Sequence, residues 1–322
     1  MFVVTYRKLF YALSTILIVA SIGAFAAWGL NLGIDFKGGS IMEVEFANGR
    51  PDQAELHTKL APLGLQESIR PTGDNGYIIR MRALSQDEKA GLWSVLTGTS
   101  TAAASSTLAT MNSASSTATS TITVAGVTEK RFDSIGPVLG AEAARKSVTS
   151  IILVILAIVI FITYAFRQVS HPISSWKYGI VAIIALAHDV IIPIGAFSIL
   201  GHFAGYETDT LFVTALLVVL GFSVHDTIVV FDRVRENLRH ASAKKPFGEI
   251  VGESISQTFT RSINTSLTTL LSLLVLYFIG GEATHHFALA LIIGIIAGTY
   301  SSIFIGSPLL VTFQKWAEKK KA

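Results

Sequence analysis

The chain carries six long runs of apolar residues that are separated by polar segments. A helix needs about 20 mostly apolar residues to cross the hydrocarbon core of a bilayer, because each residue advances the helix by about 1.5 Å. Every run is close to that length. The pattern therefore predicts a polytopic α-helical membrane protein with helices at 9–30, 147–166, 178–200, 210–231, 262–281 and 287–314.

The first run follows Arg7 and Lys8, as the apolar core of a secretory signal follows basic residues. It is longer than such a core and lacks a clear small-residue cleavage site. We therefore expect a retained first helix within an N-terminal region at 1–30.

Polar and apolar residues alternate differently in the segment 31–146, between the first two runs. "SIMEVEF" (40–46) and "YIIRMRAL" (77–84) alternate with the period of a strand that buries one face. Residues 127–147 read as a further strand that leads into the second membrane helix. These patterns predict a small folded domain outside the membrane.

Two stretches of the same segment predict helices. The first is "PDQAELHTKLAPLG" (51–64) and the second is "SQDEKAGLWSVL" (85–96). Ser85 and Glu88 have the spacing of a capping box at the start of the second helix. Strands and helices mixed in this way predict an α+β domain of the ferredoxin-like kind.

A low-complexity segment interrupts this domain at 97–126. Ser, Thr and Ala dominate it, so it offers too little large apolar surface to offset the entropy lost on ordering. We expect a flexible insertion in a surface loop. A tether that samples substrate and a glycosylated segment are the functional alternatives.

The composition agrees with the membrane class. Of 322 residues, 51% are hydrophobic and only 15% are charged. The absence of cysteine excludes disulfides and thiolate metal sites, and no GxxxxGK[ST] loop for nucleotide is present. We expect no enzymatic activity, no catalytic residue, no cofactor and no metal.

The distribution of basic residues predicts the orientation, because short loops rich in Lys and Arg remain in the cytoplasm. The short loops 201–209 and 281–286 contain neither Lys nor Arg and are assigned to the opposite side. Both termini are then cytoplasmic, and the basic tail 315–322 faces lipid headgroups rather than nucleic acid. The residues on the cytoplasmic side are Arg7, Lys8, Arg167, Lys177, Arg233, Arg235, Arg239, Lys244, Lys245, Lys315, Lys319, Lys320 and Lys321.

Titratable residues occur inside the apolar runs. His188 and Asp189 fall near the middle of the third predicted helix, and His225 and Asp226 fall in the cytoplasmic half of the fourth. A charged side chain at the bilayer centre costs about 2.5–3.5 kcal/mol on insertion scales, so such residues face protein or a wet cavity. They are the candidate site.

Arg261, at the start of the fifth predicted helix, enters the membrane from the same side as Asp226. Its long side chain can reach the Asp226 carboxylate and compensate its charge. The pair is then either a proton carrier whose charge depends on access to water or an ion pair that locks two helices. Sodium is an alternative cation, coordinated by Asp226 with the hydroxyls of Ser223 and Thr227.

The other candidates also have structural alternatives. Asp189 can simply bond a neighbouring helix, because Pro193 removes the helical donor to its main-chain carbonyl. His188 and His225 are either relay members or polar packing residues. "GIIAG" (294–298) has glycines spaced for close helix approach.

Four stretches together resemble the SecF family, whose members are the smaller membrane subunits of the SecD–SecF complex of bacterial protein secretion. The stretches are "GIDFKGG" (33–39), "ALAHDV" (185–190), "GFSVHDTIVVFDRVREN" (221–237) and "TRSINTSLTTLLSLLVLYFIGG" (260–281). The first is shared with SecD, whereas "VHDTIVVFDRVREN" favours SecF.

The resemblance implies a member of the resistance–nodulation–division superfamily in the bacterial cytoplasmic (inner) membrane. Two six-helix halves would use the proton motive force to move an external domain, with a SecD-like subunit as the other half. The SecYEG channel, unfolded preprotein and membrane lipids are the further implied partners. Late steps of protein export are the implied function.

The resemblance also assigns residues. The family's membrane carboxylate falls on Asp226 and its arginine on Arg261, with Asp189, His188 and His225 as supporting members of a proton path. The structural motif comprises Gly33, Asp35, Phe36, Gly38 and Gly39. Gly38 and Gly39 are expected to form a tight turn into the first external strand.

The chain departs from the family pattern at His225, where Asn is expected, at Pro193 and in the insertion. Two rival functions remain. One is a drug or lipid exporter of the same superfamily, which usually carries both halves in one chain. The other is a scaffold of the translocation channel that conducts nothing.

Overall fold

The computed structural model describes residues 2–65, 68–98, 122–124, 126–167, 175–242 and 245–319. Most of the predicted insertion at 97–126 lies outside these ranges. The chain forms two compact units. Residues up to Asn31 and from Lys146 onward form a helical unit, and Leu32–Arg145 form an α+β unit.

Among the described residues, six helices are long and apolar enough to cross a membrane, which confirms the predicted polytopic class. The last of them is continuous from α10 (Glu282–Ser301) through a π-helical turn, Ser302–Gly306, into α11 (Ser307–Lys319). The helices are α1 (Phe2–Thr5), α2 (Arg7–Trp28), α3 (Ile34–Lys37), α4 (Gln53–Leu60), α5 (Gln86–Thr97), α6 (Pro137–Ala165), α7 (Ser175–Ala204), α8 (Thr210–His240), α9 (Phe247–Ile279), α10 (Glu282–Ser301) and α11 (Ser307–Lys319).

Several of these helices are longer than the apolar runs that predicted them. Helix α8 continues to His240 rather than ending near 231, and α9 begins at Phe247 rather than near 262. Hydropathy detects only the part of a helix that suits lipid, whereas the backbone hydrogen bonds continue into polar sequence. Asn237 joins the two extensions, because its Nδ2 donates to Ser254 Oγ at 2.8 Å and to Gln257 Oε1 at 2.9 Å.

Helices α7, α8 and α10 are the most buried part of the helical unit, whereas α2, α6 and α9 are mostly exposed. Glycines allow α10 to approach α8 closely. A Cβ atom on Gly294 would lie 2.3 Å from Val219 Cγ2, and one on Gly298 would lie 3.0 Å from Ser223 Cβ. The expectation for "GIIAG" is therefore confirmed.

The α+β unit contains an antiparallel sheet with the strand order β2-β3-β1-β5-β4. Apart from the short β4, the chain order βαββαβ is that of the ferredoxin-like fold. The strands β2 and β4 were not predicted, since β2 contains Pro71 and β4 spans three residues. The strands are β1 (Gly39–Phe46), β2 (Ser68–Thr72), β3 (Gly76–Met81), β4 (Ile122–Val124) and β5 (Val127–Ile135).

One face of this sheet forms the core of the unit together with α4 and α5. Met42 and Ile79 from the sheet and Leu60 and Trp93 from the helices are fully buried. The predicted capping box is present, because the N–H of Glu88 donates to Ser85 Oγ at 3.3 Å and the Glu88 carboxylate accepts from the Ser85 N–H at 2.9 Å.

Candidate functional site

Asp226 lies on α8 inside the helical unit and is 6% exposed. Its two carboxylate oxygens accept hydrogen bonds from different helices. Ser262 Oγ of α9 donates to Oδ1 at 2.6 Å, and Ser302 Oγ of the π turn donates to Oδ2 at 3.0 Å. Within the described ranges, no cation forms an ion pair with this carboxylate.

Asp189 lies on α7 and is fully buried. Its Oδ2 accepts from Ser301 Oγ at 2.9 Å and also from Ser223 Oγ, while its Oδ1 lies 2.9 Å from Nδ1 of His188. The His188 ring stacks on Tyr300 with 6.1 Å between the ring centroids. In the part of the chain that the structure describes, the buried Nε2 of His188 has no hydrogen-bond partner.

The two acids are linked through two shared elements. Ser223 and Asp226 are three residues apart on α8 and therefore neighbours on one helix face. Ser301 ends α10, and Ser302 begins the π turn next to it. Together these residues form the carboxylate cluster, which consists of Asp189, Asp226, Ser223, Ser262, Ser301 and Ser302.

The adjacent serines each face two acceptors. Ser301 Oγ lies 2.9 Å from the Asp189 carboxylate and 3.1 Å from the main-chain oxygen of Gly298. Ser302 Oγ lies 3.0 Å from the Asp226 carboxylate and 3.1 Å from the main-chain oxygen of Thr299. A hydroxyl has a single proton to donate, so each serine can bond either an acid or its own helix.

Two features of the backbone favour this arrangement. Pro193 lies inside α7 and cannot donate to the carbonyl of Asp189, one turn before it. Gly298 leaves room for Ser223, which donates to the acid, since a Cβ there would lie 3.0 Å from Ser223 Cβ. The π turn is itself a type of irregularity that often occurs at functional sites.

The structure does not bring Arg261 to Asp226, so the predicted pairing is wrong for this chain on its own. Arg261 is exposed on α9, and the next residue, Ser262, contacts the acid instead. Successive helical residues point about 100° apart, so both cannot face Asp226. His225 is also exposed, next to the buried Asp226, and so does not join the cluster.

Ser223 was predicted near Asp226 but contacts Asp189. Ser262, Ser301 and Ser302 were not identified from sequence. The available signal was weak: they are small polar residues inside apolar helices, where Ser usually bonds its own backbone. Among the described residues, no group of three or more His, Asp or Glu side chains could hold a metal ion.

The glycine motif forms a second site, in the α+β unit. Gly38 has a φ of 78° and Gly39, the first residue of β1, has a φ of 139°, so the chain turns where it enters β1. A Cβ on Gly38 would lie 2.7 Å from the Cα of Pro137, the first residue of α6. The motif therefore packs the entry of β1 tightly against the beginning of α6.

The remaining motif residues form the short helix before this turn. Gly33 is the N-cap of α3, which contains Asp35 and the buried Phe36. A Cβ on Gly140 would lie 2.9 Å from the main-chain oxygen of Phe36. Close contact of α3 with the first turns of α6 thus depends on glycine on both sides.

Two family models match this chain, one over the range that contains the carboxylate cluster and one over the range that contains the glycine motif. The model for the C-terminal region of the protein export membrane proteins SecD/SecF matches residues 114–316, and the SecD/SecF GG motif matches residues 24–49. SecF of Thermobaculum terrenum is 41% identical, with 97% of this chain and 93% of the relative covered. SecF of Anaerolinea thermophila is 40% identical, with 96% and 92% covered.

Solved structures agree with these matches. A crystal structure of SecDF, a translocon-associated membrane protein from Thermus thermophilus, has a TM-score of 0.73 at 30% identity and matches 97% of this chain. SecDF in a super-membrane-facing form has a TM-score of 0.63. This chain covers 38% and 40% of those longer chains. The chain belongs to the SecD/SecF family of protein export membrane proteins, and within it to the SecF group.

Proposed function

We propose that this chain pairs with a SecD-like subunit in the bacterial inner membrane and converts proton binding at Asp226 into late steps of preprotein export. One observation carries the proposal. Asp226 is a carboxylate buried among membrane helices whose partners in the described structure are hydroxyls, not cations.

Hydroxyl partners suit a proton carrier. A hydroxyl donates to an ionised carboxylate and accepts from a protonated one, so the same partners serve both states. A carboxylate bonded to a guanidinium would lose an ion pair on protonation. Rotation of the neighbouring hydroxyls therefore lets Asp226 keep its hydrogen bonds whether it is ionised or protonated.

The hydroxyl of Ser302 can change its hydrogen-bond acceptor when the protonation state of Asp226 changes. While Asp226 is ionised, the Ser302 hydroxyl donates to it across 3.0 Å. When Asp226 is protonated, the hydroxyl turns to the main-chain oxygen of Thr299, 3.1 Å away. Ser301 has the same choice between Asp189 and the main-chain oxygen of Gly298.

Asp189 and His188 form a second proton-binding site on the proposed proton path. His188 holds one carboxylate oxygen and has a free ring nitrogen in the described structure, so it can pass a proton onward. Ser301 bonds Asp189, and the adjacent Ser302 bonds Asp226. A change in the protonation of either acid therefore acts on the beginning of the π turn. We assign the π turn as the element that transmits protonation into movement of α11.

The exposed face of α9 supports a membrane partner. Arg261 and Asn264 lie on this face with no side-chain partner among the described residues, next to Thr265 and Thr268. Lipid is a poor environment for an arginine and an amide on the surface of a membrane helix. A SecD-like helix that offers polar groups satisfies them, and Arg261 then acts across the subunit interface rather than within this chain.

Orientation follows from the basic loops, with both termini in the cytoplasm and the α+β unit outside. That side is where an unfolded preprotein emerges from the SecYEG channel. The tight packing of the glycine motif on the start of α6 provides a direct connection between a membrane helix and β1. The surrounding lipids complete the set of proposed partners.

The proposal is tested in proteoliposomes that contain the chain, its SecD-like partner and the translocation channel. Preprotein release is measured with and without an imposed pH gradient. The Asp226→Asn variant is expected to lose all the gradient-dependent release. The matched control is Asp232→Asn, because Asp232 lies on the same helix with a 67% exposed side chain.

Normal gradient-dependent release by Asp226→Asn would contradict the role of Asp226 as a proton carrier. The chain would then act as a scaffold of the translocation channel. The same measurement with a sodium gradient distinguishes coupling to protons from coupling to sodium. Release driven by the sodium gradient alone would contradict proton coupling. Ser302→Ala is expected to slow release without abolishing it, because Ser262 still holds the acid.

The partner assignment has its own test. The chain contains no cysteine, so a single introduced cysteine is unique. Asn264→Cys is expected to cross-link to a cysteine in a membrane helix of the SecD-like subunit. Ser266→Cys is the control, since Ser266 is buried against Thr299 of α10 at 2.6 Å. Equal cross-linking of both would contradict the proposed face.

A further inference from the structure

A cavity of about 370 Å³ opens at the end of the helical unit where α1, the start of α2, the start of α9 and α11 meet. Arg7, Lys8 and Lys315 line it, together with a single acid, Glu249. None of the three cations forms an ion pair among the residues that the structure describes. The described lining of the cavity therefore carries a net positive charge.

The backbone adds to this character. Helix α9 begins at this cavity with Pro246 as its N-cap, and the side chain of that residue does not cap the first N–H groups. The first N–H groups of a helix have no intrahelical acceptor and attract anions. Gly248 lines the cavity and brings the backbone to its wall without a side chain.

The level of the cavity points to the membrane surface. Arg7 begins the apolar helix α2, and the exposed aromatic residues Tyr6 and Trp316 lie next to cavity residues along the chain. Exposed Trp and Tyr mark the headgroup level of a bilayer. Val4 and Val311 provide apolar wall beside the cations.

We propose that this cavity binds the phosphate headgroup of an anionic phospholipid, such as phosphatidylglycerol. Arg7, Lys8 and Lys315 contact the phosphate, while Val4 and Val311 contact the beginning of the acyl chains. Basic pockets between helix ends on the cytoplasmic side of a membrane bind such headgroups. Free phosphate offers the same charge but no apolar part.

The test measures lipid retention by the full-length chain, purified in detergent, with native mass spectrometry. Phosphatidylglycerol is compared with phosphatidylcholine of the same acyl chains. The double variant Arg7→Gln/Lys315→Gln is expected to retain phosphatidylglycerol at least about tenfold less than the parent. The matched double variant Arg239→Gln/Lys319→Gln removes two exposed cations outside the cavity and is expected to behave like the parent.

A third variant keeps the test independent of folding defects. Glu249→Gln removes the single acid of the cavity and is expected to increase retention of phosphatidylglycerol. The proposal is overturned if both double variants lose lipid equally, or if phosphatidylcholine is retained as well as phosphatidylglycerol. It is also overturned if millimolar inorganic phosphate displaces the lipid, because the cavity is then a site for soluble phosphate.

Discussion

The buried acids of the helical unit and the acids of the α+β unit bond different partners. In the α+β unit, carboxylates pair with cations, as Glu129 does with Lys89 at 3.0 Å and Glu45 with Lys130 at 3.0 Å. In the helical unit, the buried Asp226 bonds two serines, and Asp189 bonds two serines and His188. The cations of this unit lie at the helix ends or on exposed faces.

Solvent explains the difference. Glu129 and Lys89 are mostly buried, but Glu45 and Lys130 lie at the water-exposed surface, where an ion pair contributes little because water and salt already stabilise each charge. Inside a bilayer a permanent ion pair would hold two helices together whatever the state of the acid. Hydroxyls can bond an acid in both of its protonation states, so the proton exchange proposed for Asp226 breaks no ion pair.

The largest expected effect is at Asp189, where the partners are fully buried. Asp189→Ala leaves Ser223 and His188 without their acceptor, and each buried unsatisfied donor costs about 1–3 kcal/mol. We expect a loss of about 3 kcal/mol in the free energy of unfolding, measured in detergent by denaturant titration. Asp189→Asn keeps one acceptor oxygen and is expected to lose about half as much. Equal losses in the two variants would contradict the role of the hydrogen bonds.

The next effect tests whether close helix packing builds the carboxylate cluster. Gly298→Ala places a Cβ 3.0 Å from Ser223 Cβ and is expected to cost about 1–2 kcal/mol, as overpacking does. Gly221→Ala on α8 is the control, because nothing lies within 4 Å of a Cβ there. It is expected to be neutral or slightly stabilising, since Ala favours a helix over Gly. A stable Gly298→Ala protein would show that α8 and α10 can separate freely.

A smaller effect is expected when an acid is removed from the α+β unit. Glu129→Ala breaks the contact with Lys89, but Lys89 also lies 4.1 Å from the centre of the Phe132 ring and keeps that interaction. We expect a loss of about 1 kcal/mol in unfolding free energy, at the low end of the cost of removing the partner of a buried polar group, because the Phe132 ring still stabilises the Lys89 cation. Glu45→Ala, at a more exposed pair, is the control and is expected to cost less. A loss as large as that of Asp189→Ala would remove the contrast between the units.

The smallest effect concerns pH. Hydrogen bonds from the Arg82 guanidinium and from Ser85 lower the pKa of Glu88 from 4.5 to about 2. A lowered pKa stabilises the fold above pH 4.5, and this stability is lost as the pH falls from 4.5 towards 2. Glu88→Gln is therefore expected to be slightly less stable than the parent at pH 7, with the difference vanishing near pH 2.

Unfolding curves of the parent and of Glu88→Gln at several pH values measure this difference. Glu88 is solvent-exposed, so the difference should also shrink in high salt. A difference that stays constant from pH 7 to pH 2 would assign the contribution of Glu88 to packing rather than to its charge.

Much of the fold was predictable because its signals are local. Membrane helices need long apolar runs, and strands such as β1 need alternation, so both are visible in short windows of sequence. The capping box at Ser85 and the glycine turn before β1 are equally local. The helix ends beyond the apolar runs were missed, because a polar helix outside lipid has no hydropathy signal.

The sequence by itself determined the membrane class, the α+β unit, the family and the two acids in the bilayer. Only the tertiary structure decided which side chains those acids meet, placing serines of α8, α9 and the α10 region around them and Arg261 on an outer face. The physical reason is that the partner of a buried acid depends on the rotation and packing of whole helices. A rotation of about 100° exchanges Arg261 for Ser262 without changing any local pattern.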